Sequence, residues 1–128
     1  MKNSRDQSPE TIVDHWAEHF NNGNLERILD MYHEEATLLP TFSPNLLSTP
    51  EQIKEYFVRT IENQTSVEID NGRTIKKKLS ENMYLMTGLY IFYLDNDHKR
   101  EFKSQFTFLI DLTTERPIQH HHSSQIIT

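Results

Sequence analysis

The chain has 128 residues, of which 35% are hydrophobic and 25% are charged, and its formal net charge is −6. This length is typical of one domain with its own core, and the acidic balance argues against a nucleic-acid partner, which would need a basic surface. Cysteine is absent, which excludes disulfides, thiolate metal sites and cysteine nucleophiles.

Residues 1–7 are polar and are predicted to form a lead-in to a single domain that spans residues 8–128. The lead-in lacks the apolar core of a signal peptide. No later stretch is long and apolar enough to cross a membrane. We therefore expect a cytoplasmic protein with no membrane partner.

Two helices are predicted at the start of the domain. The first begins at Ser8, a preferred N-cap residue, with Pro9 at the first helical position. Gly23 is expected to end it, because glycine is common just after a helix. Asn24 can then cap a short second helix, LERILDMY, in which Tyr32 faces inward.

The next elements are a short strand, a loop and a third helix. The strand covers EEATLLP, and Pro44 and Pro50 break the loop that follows. Ser48 or Thr49 can cap the third helix, because Pro50 and Glu51 then lie in its first turn, where both residue types are favoured.

From Ser66 onward the apolar residues recur with a period of two, which predicts four strands. They are SVEIDNGRTIKKKL, NMYLMTGLYIFYLD, REFKSQFTFLIDL and RPIQHHHSSQII, with turns at SEN, DNDHK and TTER. Helices followed by hairpin-linked strands are typical of an α+β fold with an antiparallel sheet. The strand YLMTGLYIFYL is apolar on both faces, so a second copy of the chain is the simplest cover for the face that the helices leave open.

Three consecutive histidines in the last predicted strand are the main candidates for a functional site. Alternation places His120 and His122 on one face and His121 on the other. Imidazole titrates near pH 6.5, so His120 or His122 could act as a general base or as a polar contact in a pocket. Structural strand histidines and a metal site are the alternatives, but no third metal ligand stands at a credible spacing. We expect no metal and no cofactor.

The order of the elements and several phrases resemble the nuclear transport factor 2-like superfamily. The phrases are WAEHFNNGNLERILDMYHEEATLLP, TPEQIKEYF and the ending IQHHHSS. Within the superfamily the sequence looks most like the SnoaL-like proteins and the association domain of calcium/calmodulin-dependent protein kinase II. The resemblance implies a cone-shaped, cystatin-like α+β fold, with three N-terminal helices packed on a strongly curved, mostly antiparallel sheet around a cavity.

The resemblance also implies a function. It suggests a homo-oligomeric association or small-molecule-binding domain, at least a dimer joined through its sheet, with a small apolar or carboxylate ligand. The alternative is a small SnoaL-like hydrolase, isomerase or dehydratase that uses a cavity histidine as general base. Steroid-isomerase-like relatives carry a base carboxylate where this chain has residues 38–41, and only Arg100 is retained from the arginine-lined pocket of the kinase domains. The empty base position favours the non-enzymatic interpretation, and the missing arginines argue against an arginine-lined pocket for a carboxylate.

The expected cavity lies between the sheet and the first helix. The resemblance selects the face of His120 and His122 as the inward one and leaves His121 pointing away. If the protein is an enzyme, His122 and His120 are the catalytic candidates. The predicted pocket residues are Trp16, Phe20, Phe42, Tyr90, Phe106, His120 and His122.

Overall fold

The computed structural model describes residues 7–96 and 100–127. The helices are α1 (Pro9–Asn21), α2 (Leu25–Leu29) and α3 (Pro50–Glu62), and the strands are β1 (Tyr32–Leu39), β2 (Ser66–Lys78), β3 (Met83–Tyr93), β4 (Glu101–Asp111) and β5 (Ile118–Gln125). The predicted lead-in, apart from Gln7, and part of the predicted turn at residues 95–99 lie outside the described residues. No helix in the described ranges is long and apolar enough to span a membrane.

Capping boxes set the starts of the two long helices. The Ser8 and Thr11 pair exchanges backbone-to-hydroxyl hydrogen bonds of 3.0 and 3.2 Å at the start of α1. At the start of α3 the Thr49 N–H donates to Gln52 Oε1 at 3.3 Å, and the Gln52 N–H donates to the Thr49 hydroxyl at 3.2 Å. Each exchange satisfies two backbone N–H groups that the helix itself leaves free. The predicted start at Ser8 is confirmed, and Thr49, not Ser48, is the cap of α3.

The second helix is shorter than predicted. Asn24 caps it as expected, but it ends at Leu29 and Tyr32 already belongs to β1. Gly23, with φ of +64°, makes the sharp connection from α1, a conformation that costs glycine little. Tyr32 is buried from the strand, because its ring there packs 5.5 Å from that of Phe57. This tertiary contact outweighs the weak helical pattern.

The five strands form one curved sheet in the order β1-β5-β4-β3-β2. The pairs β2–β3, β3–β4 and β4–β5 are antiparallel, and β1 pairs with β5 in parallel. This is the α+β architecture that the sequence predicted. The core lies between the helices and the inner face of the sheet, and its largest fully buried side chains are those of Trp16, Tyr90, Phe57 and Phe108.

A bulge in β5 reverses the direction of its side chains. Two adjacent residues of β4 pair with Ile118 and His120, so Gln119 is an extra residue on β5. Ile118 and His121 are consequently both buried although they are three positions apart, with exposures of 0% and 2%. Beyond the bulge, His121 faces the core and His120 and His122 face outward, because one inserted residue shifts the alternation by one.

Gly88 on β3 should not tolerate a side chain. A Cβ at this position would lie 2.9 Å from the Arg73 carbonyl oxygen and 3.0 Å from Phe106 Cζ. We expect Gly88→Ala to lower the free energy of unfolding by about 1–3 kcal/mol, because packed neighbours must move. Urea denaturation measures this loss.

Gly72→Ala is the matched control. The nearest atom to its Cβ would be Asp70 Oδ1 at 3.4 Å, which is ordinary contact. Its free energy of unfolding should change by no more than about 0.5 kcal/mol. Equal losses in the two variants would show that the close approach at Gly88 has no energetic role.

Candidate functional site

A chain of hydrogen bonds crosses the core through polar side chains from four elements. Trp16 Nε1 donates to Tyr32 Oη at 3.0 Å, and Tyr32 Oη lies 2.8 Å from His121 Nδ1. On the other side of the imidazole, His121 Nε2 lies 3.1 Å from Tyr90 Oη. Tyr90 in turn donates to Ser123 Oγ at 2.5 Å.

The chain of hydrogen bonds ends near the surface. Ser123 Oγ lies 2.5 Å from Thr41 Oγ1, in the loop that follows β1. Trp16 and His121 are buried, whereas Thr41 is only partly buried. The Trp16–Thr41 hydrogen-bond chain, as we call these six residues, therefore links the centre of the core to the loop.

The partners of His121 select one neutral tautomer. Because Tyr32 Oη accepts from the indole N–H, its own proton is available for His121 Nδ1, which must then be the unprotonated nitrogen. Tyr90 uses its proton towards Ser123, so it accepts from His121 Nε2–H. Both sides of the ring require the same Nε2–H tautomer, and both ring nitrogens are engaged.

Packing holds the imidazole of His121 in place. Its ring is stacked on that of Phe108, with centroids 4.0 Å apart and an interplanar angle of 19°. The indole of Trp16 meets it edge-on at 5.2 Å and 85°. Phe108 and His121 are paired neighbours on β4 and β5, so strand pairing sets this contact.

Burial keeps the interior groups neutral. Loss of solvation lowers the pKa of His121 well below its usual value, and repulsion from His120 and His122 lowers it further. Loss of solvation raises the pKa values of Tyr32 and Tyr90 well above the usual range. All three side chains are therefore uncharged near neutral pH.

A small cavity lies beside the hydrogen-bond chain. Its volume is about 10 Å³, which is room for roughly one water molecule. Neither Asp, Glu, Lys nor Arg is among its described lining residues, so the cavity offers no fixed charge. The lining residues are Trp16, Phe20, Leu38, Pro40, Tyr56, Phe57, Tyr90, Phe92, His121 and Ser123.

The structure brings only some of the predicted pocket residues together. Trp16, Phe20 and Tyr90 line the interior cavity. Phe42 packs outside that lining, with ring centroids 5.2 Å from Phe92 and 5.5 Å from Phe102. Phe106 is buried, and its ring centroid lies 4.6 Å from that of Tyr90. Phe42, Tyr90 and Phe106 form one aromatic cluster with Phe92. Whether any of these residues binds a ligand stays a prediction.

The predicted orientation of the histidines is wrong. His120 and His122 lie on the outer face of the sheet, and His121 is the histidine that enters the core. The cause is the extra residue Gln119, which inverts the alternation between Ile118 and the histidines. His120 Nδ1 instead lies 2.5 Å from Thr37 Oγ1 on β1.

Sequence reasoning also missed Tyr32, Thr41 and Ser123. Tyr32 lies in β1 and not in the predicted second helix. Ser123 lies on the same face as His121, which the sequence predicted to point outward. Thr41 lies in a loop whose contacts no periodicity describes. Phe108 on β4 faces inward, and His121 is its partner on β5. This pair identifies His121 as an inward residue, but the sequence alone does not give the register between β4 and β5.

The outer face of the sheet carries an open hollow of about 660 Å³. It lies over β2, β3 and β4 and reaches β5 at His122. Its lining residues are Gly72, Arg73, Thr74, Ile75, Thr87, Gly88, Leu89, Gln105, Phe106, Thr107 and His122. Arg100 belongs to neither this hollow nor the interior cavity and pairs with Asp95 at 2.5 Å on the surface. In the part of the chain that the structure describes, no three His, Asp or Glu side chains converge as a metal site would require.

Removing the hydroxyl of Tyr32 should destabilise the protein. Tyr32→Phe leaves the Trp16 N–H without its acceptor and His121 Nδ1 without its donor. Each unpaired buried group costs about 1–3 kcal/mol, so we expect a loss of roughly 2–4 kcal/mol. Urea denaturation of Tyr84→Phe, whose side chain is only partly buried, provides the control and should give a small change. A loss below that of the control would contradict the hydrogen-bond chain.

The free energy of unfolding should fall as the pH drops below about 6.5, the ordinary pKa of histidine. The pKa of buried His121 is depressed, so the unfolded chain binds a proton that the folded chain refuses. Stability therefore rises with pH in this window, by about 1.4 kcal/mol per pH unit for each such proton. Denaturation between about pH 5 and 7.5 measures the slope.

The variant His121→Gln identifies the residue responsible for that slope. It removes the titrating ring, so the slope should become shallower by up to one proton. Tyr84→Phe, which removes no imidazole, should keep the wild-type slope. An unchanged slope in His121→Gln would assign the pH dependence to other groups.

Comparison with solved structures shows the same fold in proteins of low sequence identity. An association-domain protein from Xanthomonas campestris is 23% identical, with a TM-score of 0.80 over 98% of this chain and 93% of that one. A nuclear transport factor 2-like protein of unknown function from Pseudomonas putida is 9% identical, with a TM-score of 0.81 over 100% and 91%. The epoxide hydrolase/cyclase-like enzyme SalBIII is 17% identical, with a TM-score of 0.65 over 98% and 95%.

Comparison with curated protein sequences gives no match. The sequence profile of one family, the calcium/calmodulin dependent protein kinase II association domain, matches residues 5–126. That match covers nearly the whole chain and agrees with the fold. The chain therefore belongs to the calcium/calmodulin dependent protein kinase II association domain family.

Proposed function

We propose that this chain is a homo-oligomeric association domain whose copies pair through the outer face of the sheet. The observation that carries the proposal is the composition of that face. At its centre the outward residues include no Asp, Glu, Lys or Arg, although the described helices pack against the opposite face. These central residues are Leu85, Thr87, Leu89, Thr107, Leu109, His120 and His122.

The distribution of charge supports the same face. Each copy carries a formal net charge of −6, so two copies repel one another over most of their surfaces. The charged outward residues of the long strands lie away from the centre, as at Glu68, Lys77, Glu101 and Lys103. A neutral, partly apolar centre with a charged border is the usual arrangement of a protein interface.

Membership of an association-domain family supports assembly as the function. A two-fold pair would bring the same patch of each copy together, so a self-complementary neutral surface is what such a pair needs. The open hollow on this face would be closed by the second copy.

Binding of a small molecule in the interior has weaker support. The cavity of about 10 Å³ is far below the several hundred Å³ of ordinary ligand pockets, so a ligand would require the loop at residues 40–48 to move. Because the lining carries no fixed charge, an uncharged apolar compound would suit it better than a carboxylate.

Catalysis of the SnoaL-like type is also less favoured. The histidine in the core is His121, and both of its ring nitrogens already have partners. No carboxylate is among the described lining residues to orient it as a base. A general base needs a free nitrogen within reach of the substrate, and the low pKa of His121 weakens it as a base.

Light scattering tests the association directly. At micromolar concentration and near neutral pH we expect a mass of at least two copies of the 15.2 kDa chain. The apolar outer face should drive this association, as its burial removes it from water. A mass near that of one chain would refute the proposed function.

A charge placed on the outer face should weaken the assembly. Ile75 is 67% exposed and lines the outer hollow, so Ile75→Glu leaves the fold intact but buries a new carboxylate between copies, where Arg73 already pairs with Asp70. We expect the dissociation constant to rise at least about tenfold, since an unpaired buried charge costs well over 1 kcal/mol. Sedimentation equilibrium measures it.

Leu46→Glu is the matched control, because it makes the same change of charge at another exposed apolar residue. Leu46 is 54% exposed and lies in the loop between β1 and α3, away from the outer face. It should assemble as the wild type does. If Leu46→Glu dissociates and Ile75→Glu does not, copies pair through a different surface.

A further inference from the structure

We propose that His120 and His122 make the assembly sensitive to acid: copies associate while both imidazoles are neutral and separate when the imidazoles take up protons. This inference rests on the association through the outer face proposed above. It adds a regulation of that association and assigns it to two residues.

Both histidines lie on a strand of the outer face that is not at the edge of the sheet. β5 lies between β1 and β4 in the sheet, so its outward side chains have neighbours on two sides. His120 stands opposite Thr37 and Leu109, and His122 stands opposite Leu39 and Thr107. All four paired neighbours are uncharged, so a proton on either ring finds no carboxylate partner across the strand pairs.

The more distant charges on this side do not change that conclusion. Asp111 already accepts from Thr113, with bonds of 2.9 and 2.7 Å. Arg73 lines the same hollow as His122 and pairs with Asp70 at 3.7 Å, so the carboxylate of Asp70 already has a partner. The charged and titratable groups that the surrounding strands carry on or beside this face are His33, Glu34 and Glu35 on β1, Glu68, Asp70, Arg73 and Lys77 on β2, Tyr93 on β3, and Glu101, Lys103 and Asp111 on β4.

A second copy makes protonation more costly. A two-fold pair through one patch brings the same residues of both copies to a shared interface, so four imidazoles would lie in one desolvated region. Two protonated rings on each side would repel one another in a medium of low polarity, and each would lose its hydration. Neutral rings carry neither penalty.

The environment within one copy already disfavours the charged form. Loss of solvation, followed by repulsion from His122, lowers the pKa of His120. Burial against a second copy adds to the first of these causes, so the assembled state binds fewer protons than the separated state. As the pH falls through the lowered pKa of His120 in separated copies, these copies take up protons before the assembly does, and the equilibrium shifts towards them.

The experiment measures the dissociation constant of the full chain by sedimentation equilibrium at pH 7.5 and 5.5, with a chelator present to exclude adventitious metal. Circular dichroism at both pH values confirms that the chain is folded. Each proton taken up on separation changes the constant by up to about tenfold per pH unit, so we expect an increase of at least about tenfold over this interval. The double variant His120→Gln/His122→Gln should stay assembled at both pH values.

The double variant His15→Gln/His19→Gln is the matched control. It removes two histidines from α1, on the other side of the sheet, and should keep the wild-type pH dependence. If the double variant on β5 fails to assemble at pH 7.5, the single variants decide, and each should lose part of the wild-type dependence.

The outcomes separate the two proposals. A wild-type chain that is monomeric at pH 7.5 refutes association itself. A wild-type assembly with the same dissociation constant at both pH values refutes the acid sensitivity and leaves association standing. Full wild-type pH dependence in both single variants on β5, or loss of that dependence in the α1 variant, likewise refutes the assignment to His120 and His122.

Discussion

The indole N–H of Trp16 must find its acceptor inside the protein, because only 1% of the residue is exposed. That one requirement orders a series of side chains from Tyr32 to Thr41. The indole can only donate and Tyr90 donates to Ser123, so the hydroxyls of Tyr32 and Tyr90 and both ring nitrogens of His121 have defined roles as donor or acceptor. In the described ranges no buried side-chain nitrogen or oxygen lacks a partner, as expected of a polar network that contributes to a specific core.

The position of His121 in that network depends on one inserted residue. Without the bulge at Gln119, His121 would face outward and two imidazoles would enter an aromatic core. The same insertion places His120 and His122 on the outer face, beside Thr37 and Thr107. One local irregularity thus supplies both a satisfied histidine for the interior and two titratable rings for the surface.

Much of the fold could be predicted because its signals are local. Ser8 and Thr49 mark helix starts through bonds to residues three positions away. The apolar run of β3 and the alternation of β4 each extend over eleven residues. The face of the histidines could not be predicted, since a bulge depends on pairing with a distant strand and leaves no mark in its own sequence. The secondary structure of Tyr32 could not be predicted for a related reason, because its place in β1 depends on contacts with the distant residues Phe57 and Trp16.

The sheet order has a consequence for how the protein folds. β5 is inserted between β1 and β4, so β1 has no partner in the sheet until β5 arrives. Tyr32 and His121, which bond across this closure, are 89 positions apart in the chain. The hairpins β2–β3 and β3–β4 need only short loops and can form early, whereas closing the long loop to β1 carries a larger entropy cost. We therefore expect the pairing of β1 with β5 to be the slow step, and until it occurs the hydroxyl of Tyr32 has no partner on β5.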